Sequence, residues 1–570
     1  MKEKIKLFFK GDVDDSPEAI KSHSRDASLF EAKPELVAYP KDADDVSALV
    51  KFVALAKTTD PSISIAARSA GTCMAGGSLT NSISLDCMRY LNATCDIQKV
   101  SDYSILPHFY GAKLPVTISG EARIEPGIYY RDFESKTLAQ GLLLPCFTAS
   151  KSINALGGMI GNNSGGELSL KYGKTQDYVK SVEVVLADGS RETFSEIPRQ
   201  EAESKAEGSD FAASIYRKML ALLDANKDLI ESKRPRVTKN SAGYNLWNIV
   251  RRDTLSGNEM IDLSQLIVGS EGTLGITTSA TLRLVKVKKE SALLVLFLSD
   301  LDDLAQIDIE ALKVAPETVE AYDDKTIRLA LRFWSGFIKK LGLWGAIKLG
   351  FEFLPEFGMM LGGLPKLVLL IECAGDDKQE VLARIGLLQN NLKRFTSIKT
   401  RVVRNHAAAE KYWIIRRDSF SLLREHLHGK RTAPFVDDVI VPTNTLPEFL
   451  PKLRAILDGH KLTYNIHGHA ANGNFHIIPF IDLDERLSEQ MILDVSTEVY
   501  TLVVALGGSI TAEHNDGIIR TPFLSMMFGD EMVRLFAEVK AIFDPNAILN
   551  PGKKVGLVKK DIDRYLISGE

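Results

Sequence analysis

Two periodicities alternate along the first half of the chain. Residues 46–56 carry apolar side chains at helical spacing, and Asp42 or Asp44 can cap that helix. Residues 62–67 then switch to a period of two, the pattern of a strand with one buried face. Short strands and glycine turns continue, so 36–285 reads as α/β, with a charged helical insertion or surface hairpin at 195–235. From 293 to 474, strands at 293–298, 367–371 and 401–404 alternate with amphipathic helices, and 507–554 reads as helical. The pattern divides the chain at 1–35, 36–285, 286–506 and 507–570, without an internal repeat.

Composition narrows the partners. A chain of 570 residues is too long for one core, and a net charge of -4 gives no reason to expect nucleic acid. Five scattered cysteines without a CxxC pair argue against a disulfide framework or a cysteine-held cluster, and fit a reducing cytoplasm. The N-terminus lacks the apolar run of a signal peptide, and no run reaches the roughly 18 apolar residues of a membrane span. The stretch 328–365 is dense in aromatics and also basic, as at Arg332, Lys339, Lys340 and Lys348. It reads as a buried helical pair, a subunit contact of a homodimer, or a helix lying on the inner face of the cytoplasmic membrane.

Three glycine-rich loops suggest a cradle for a large phosphate-bearing cofactor. The first, 67–77, follows a strand and lets successive amides point into one concavity, a nest for phosphate oxygens. The second, 157–166, adds Asn162 and Asn163, whose amides can bond carbonyls and ring edges. The third, 267–277, flanks a short apolar core with glycines. None fits G-x-G-x-x-G, which disfavours a Rossmann fold. Gly173-Lys174-Thr175 fails as a P-loop because Leu168 stands at the required glycine.

The second half holds reaction chemistry. His467, His469 and His476 crowd into ten residues, 467–476, and Glu513-His514 follows. Imidazole and carboxylate together suit a divalent metal of intermediate hardness, with one imidazole left for proton transfer.

In order and spacing, RSAGTCMAGG, GGMIGNNSGG and VGSEGTLG resemble the FAD-binding domain of the vanillyl-alcohol-oxidase (PCMH) type. The later HxxxGNxH, Glu-His and FDPNAILNPGK elements resemble its branch of FAD-linked D-2-hydroxyacid dehydrogenases, over roughly 36–554. The resemblance implies an α+β fold, a two-part FAD domain closed by an α+β cap, with 507–570 returning to the FAD domain. It implies that the loop Arg68, Ser69, Ala70, Gly71, Thr72, Ala75, Gly76 and Gly77 holds the pyrophosphate. Pro145, Thr148, Gly157, Gly158, Asn162, Asn163 and Gly165 would line the flavin and ribityl chain. Glu271, Gly275 and Ile276 would lie near the adenosine, and Asn550 beside the ring. Some relatives attach FAD through a histidine where Thr72 stands here, so non-covalent FAD is expected.

The same resemblance makes His469, His476 and Glu513 ligands of a divalent metal, for which zinc, manganese and iron are all suited. It makes His514 the general base, Asn474 a support for ligands or substrate, and Arg416 the group that binds the substrate carboxylate, with Arg417 as competitor. Ala471-Asn472 replaces the family's Gly-Asp, removing an acid near the metal. Val436 replaces a lysine that reads a distal carboxylate, which points to D-lactate, glycolate or a longer apolar 2-hydroxy acid. The implied reaction is oxidation to the 2-oxo acid, with a quinone or an electron-transfer protein as acceptor. The alternatives are a non-redox enzyme of the alkyl-glycerone-phosphate synthase type and an FAD-binding electron-relay subunit.

Overall fold

The computed structural model describes residues 1–92, 95–108, 114–253, 256–332, 363–404, 408–413, 415–416, 430–482 and 489–567. Most of the aromatic, basic stretch expected at 328–365, and Arg417, lie outside the described residues. The fold is α+β, in three sheets. The first contains β1 (Asp12–Asp14), β2 (Leu36–Tyr39), β3 (Ile65–Arg68) and β4 (Ile83–Asp86), in the order β1-β2-β4-β3. Here β4 runs parallel to both neighbours. The helix expected at 46–56 forms as Ala43–Ala56, and the choice of cap falls on Asp42, whose carboxylate accepts from the Asp45 amide at 2.9 Å. Val46, Leu49, Val50 and Val53 form its buried face and pack with Ile65, Ile83 and Leu85 of the sheet.

The second sheet contains β5 (Cys95–Ile105), β6 (Val116–Ile124), β7 (Leu142–Leu143), β8 (Val179–Val185), β9 (Arg191–Pro198), β10 (Val250–Arg252), β11 (Glu259–Asp262) and β12 (Ile276–Lys286). Its order is β10-β11-β9-β8-β12-β6-β5, with β7 on the end of β12. The alternation of buried and half-buried residues over the first eight positions of β12 is that of a strand with one face on the core. The segment expected to be a surface hairpin at 195–235 is more firmly held. Its start belongs to β9, and its helix Phe211–Ala225 buries Ile215, Tyr216 and Met219. The ring of Tyr216 lies 5.9 Å from Phe194, which lies 6.1 Å from Phe543 near the far end of the chain.

The third sheet contains β13 (Glu290–Leu298), β14 (Thr318–Asp323), β15 (Leu367–Gly375), β16 (Ile398–Val403), β17 (Lys430–Thr432), β18 (Val439–Ile440), β19 (Thr463–His469) and β20 (Asn474–Asp482). It is ordered β16-β13-β15-β14-β19-β20-β17, with β18 on β20. Both faces of β13 and β15 are buried, which explains their unbroken apolar runs. Helices Leu304–Leu312 and Lys378–Leu392 pack over this sheet. No helix among the described residues is long and apolar enough to cross a membrane.

The segment after 507 is not helical at its start. Residues 509–516 run as an irregular stretch, bridging to Ile440 through Ser509, before the helices Gly517–Arg520, Leu524–Phe528 and Asp530–Phe543. The chain then lies alongside β3. Ile65 N donates to Ile548 O and Asn550 N donates to Ile65 O, both at 2.8 Å. Lys554 is fully buried and its Nζ donates to Ser241 O at 2.9 Å, Gly243 O at 2.8 Å and Asp516 at 2.9 Å. Removing that ammonium strands a buried carboxylate, a change that costs about 3–5 kcal/mol. Lys554→Met is therefore expected to lower the urea midpoint strongly, and adding Asp516→Asn to recover part of the loss. Unchanged unfolding in the single variant would contradict this account of the tail.

Candidate active site

The site begins with a hairpin. Strands β19 and β20 pair with His467 opposite His476 and His469 opposite Asn474. Their link is the turn Ala470–Asn472 followed by Gly473 at φ 76, where a Cβ would stand 1.9 Å from Val441 O. Opposed residues share a face, so the pleat brings His467, His469, His476 and Asn474 to one side. On the other flank β14 sets Glu320 opposite His469.

The three expected metal residues meet. His469 Nε2 lies 3.2 Å from Glu513 Oε1, His476 Nε2 lies 3.4 Å from the same oxygen, and the two Nε2 atoms are 3.5 Å apart. Each ring turns its Nδ1 to a carboxylate. His469 meets Glu320 at 2.5 Å and His476 meets Asp437 at 3.2 Å. Carboxylates on Nδ1 fix both tautomers with Nε2 free to ligate, the usual arrangement behind a metal-bound imidazole. A second grouping, Asp438, His476, Glu513 and His514, also brings ligand atoms within 4.8 Å of one another. The Asp438 carboxylate already accepts five hydrogen bonds there. Oδ2 accepts from Thr511 Oγ1 and from the amides of Ala512, Glu513 and His514 at 2.7–2.9 Å, while Oδ1 accepts from Asn474 at 3.1 Å.

The buried carboxylates are held ionised by the cationic side chains around them. Burial by itself would protonate these carboxyls, but His514 and His476 hold Asp437 well below the usual carboxylate range. Likewise His469 and Arg416 outweigh burial and bring Glu320 down to about 2. Lys239 and His469 do the same for Glu513, whose Oε2 accepts from Lys239 at 2.9 Å. His514 Nδ1 sits 2.6 Å from the second oxygen of Asp437. Arg416 donates through Nε to Glu320 at 2.8 Å. The acid missing at Ala471-Asn472 is not missed by the site, since Glu320 and Asp437 supply the carboxylates; Asn472 bonds Thr238 instead, at 3.0 Å.

A cavity of about 950 Å³ runs from these histidines to the glycine loops. Arg68, Ser69, Ala70, Gly71, Thr72 and Gly77 line it, as do Thr148, Gly157, Gly158, Asn162 and Gly165. Glu271 and Gly275 line it, and so do Arg416, His469, His476, Glu513 and His514. Other expected residues stand behind its wall. The Asn163 amide is committed to Gln176 at 2.6 and 3.0 Å. Asn550 donates to Gly77 O and Glu271 O, both at 2.7 Å, tying two loops together. Ala75 accepts from Ile518 N at 2.7 Å and Gly76 packs on Ile518 and Phe30. Pro145 and Ile276 are buried, and Asn474 joins Asp438 to Lys239. Sequence reasoning missed Glu320, Lys239 and the roles of Asp437-Asp438. It also missed Arg25, Asp26 and Ala27, which bring the N-terminal segment to the cavity. Only the adjacent acid pair at 437–438 carried a visible signal.

Residues 34–195 match the family described as FAD binding domain, and residues 287–554 match FAD linked oxidases, C-terminal domain. D-2-hydroxyglutarate dehydrogenase of Escherichia coli (strain K12) is 26% identical over 554 residues, covering 96% of this chain and 50% of that protein. The chain thus spans about half the length of that protein and of the D-2-hydroxyglutarate dehydrogenase of Pantoea ananatis (strain AJ13355). Glycolate oxidase subunit GlcD of Bacillus subtilis (strain 168) is 26% identical over 545 residues, covering 95% and 93% of the two chains. Among solved structures, an alkyldihydroxyacetonephosphate synthase superposes with a TM-score of 0.62 at 17% identity, covering 97% of this chain and 85% of that one. At that identity the likeness concerns the fold.

Asp438 gives the site its most exposed point of failure. Asp438→Ala leaves a hydroxyl and the amides of Glu513 and His514 without an acceptor, while Ala512 N keeps its bond to the backbone oxygen of residue 438, and it places alanine at φ 64. A loss of about 3 kcal/mol or more is expected in urea unfolding, with Asp438→Asn, which keeps one oxygen acceptor, losing less. Equal stability of the alanine variant would refute the role given to this carboxylate.

Proposed function

Joining an FAD binding domain to the C-terminal domain of FAD linked oxidases, this chain belongs to the FAD-linked oxidases, and from that premise we propose that it oxidises a D-2-hydroxy acid to the 2-oxo acid, with a quinone or protein as electron acceptor. One observation carries the reading. Two Nε2 atoms and a carboxylate oxygen converge within 3.5 Å at one end of a cavity whose other end is built from glycine loops.

The loops fit a dinucleotide. A Cβ on Gly157 would approach Ser69 Oγ at 2.7 Å and Pro126 Cβ at 2.5 Å, one on Gly158 would only touch Ser69 Cβ at 3.7 Å, and Gly161 faces open room. Backbone amides of 68–77 would take the pyrophosphate, and 157–165 the flavin side. His469, His476 and Glu513 would hold a divalent metal such as zinc, manganese or iron. When bound, FAD supplies an acceptor at N5 for the C2 hydrogen with its electron pair, and the metal draws electron density from the substrate hydroxyl.

The chain's own residues supply the rest. Asp437 holds the Nδ1 proton of His514, which leaves Nε2 to take the hydroxyl proton. Arg416 spends Nε and Nη2 on Glu320, leaving Nη1 for the substrate carboxylate. Lys239 steadies Glu513 from behind, outside the cavity lining. Arg416 and the two metal imidazoles surround the position of a 2-hydroxy acid head, and Val436 offers no charge for a second carboxylate.

The deciding experiment is the anaerobic visible spectrum of the FAD-loaded protein before and after D- or L-lactate. The expected result is bleaching with the D isomer alone. A flavin that stays oxidised with every D-2-hydroxy acid tried would favour a non-redox enzyme or an electron-relay subunit. His514→Asn is expected to retain metal and lose about 100-fold or more in kcat. Glu513→Gln is expected to fall well below one metal per chain by elemental analysis. Full turnover in the His514 variant would remove the assigned base.

A further inference from the structure

The histidines of the hairpin are not equivalent. His469 and His476 are each gripped through Nδ1 by a carboxylate, whereas Nδ1 of His467 is buried with no hydrogen-bond partner. The His467 ring nevertheless lines the cavity, 5.3 Å from the His476 ring by centroids, at the end where Arg416 and Ile478 stand. The residue is only 8% exposed, so bulk water does not repay the lost bond. Two residues back along the same face of β19, Asn465 is fully buried with both amide atoms unpartnered. Native interiors rarely leave such groups unsatisfied, and His467, unlike Asn465 behind it, lines the cavity, where a ligand can supply the partner.

We propose that His467 is a specificity-determining residue that hydrogen-bonds a hydroxyl on the substrate side chain, so that the preferred substrate is a D-2-hydroxy acid bearing a further hydroxyl, of the sugar-acid kind. The inference rests on the oxidase reading above and narrows its substrate. It replaces the alkyl side chain suggested by sequence with a polar one. A hydroxyl suits the site better than a second carboxylate. Arg416, the guanidinium lining this end, is already paired with Glu320. A site that offers a buried hydrogen-bonding group discriminates against the analogue lacking its partner.

The test compares ligands that differ by one hydroxyl. Flavin-spectrum titration of the FAD- and metal-loaded enzyme would measure binding of hydroxypyruvate against pyruvate. Steady-state rates would compare kcat/KM for D-glycerate against D-lactate. The wild type is expected to favour the hydroxylated member of each pair by about tenfold or more. His467→Phe, which keeps a planar ring, should bring both ratios near one, and His467→Gln, which keeps a polar group, should preserve part of the preference. Wild-type ratios near one, or a phenylalanine variant that weakens both members equally, would overturn the proposal. Should no 2-hydroxy acid reduce the flavin while hydroxypyruvate still binds the better, the reaction assignment falls and the subsite stands. Equal use of D-lactate and D-glycerate would leave the reaction standing and remove the subsite.

Discussion

A single carboxylate sets the geometry on which the candidate site depends. Asp438 takes the amides of Ala512, Glu513 and His514 on one oxygen, and so bends 511–514 around itself. That bend delivers the Glu513 side chain toward His469 and His476, and the His514 ring toward Asp437. Its other oxygen holds Asn474, at the first position of the strand that carries His476. A strand of the cap and an irregular stretch from near the end of the chain are thereby held in register by one buried anion. Burial alone would neutralise such an acid, but the neighbouring His514, His476 and Arg520 hold it below the usual carboxylate range, and three amides and a hydroxyl point at it.

Around that anchor the site is a closed arrangement of alternating charge. Glu320 links Arg416 to His469, Asp437 links His476 to His514, and Lys239 closes on Glu513. Each imidazole is oriented by an acid behind it. The departure at Ala471-Asn472 therefore leaves the ligands supported, because the orienting acids come from β14 and from the residues before β18. His467 stands outside this arrangement, lining the cavity with no carboxylate behind its ring.

The cofactor end is organised by the tail. Asn550 ties the first glycine loop to Glu271, and the tail adds a strand-like segment beside β3. Several expected cofactor residues turned out to be the frame of the cradle. Asn163 sits at φ 52 and spends its amide on Gln176, shaping the loop whose neighbours Asn162 and Gly165 reach the cavity. Spacing along a loop does not tell the wall of a pocket from its lining, since that depends on which way each side chain turns.

The sequence by itself determined what is local. The glycine loops, the helix after Asp42 and the crowding of His467, His469 and His476 within ten residues are all local; the hairpin register then put the three histidines on one face. Adjacency also placed Glu513 and His514 together. The tertiary structure decided the partners. Glu320 reaches His469 across 149 residues and Lys239 reaches Glu513 across 274, through strand register and chain threading that no local pattern encodes. Burial decided the rest. It left one histidine with an unspent hydrogen bond, and acids that stay ionised only through the cations set around them, because the worth of a polar group depends on the water that folding removes.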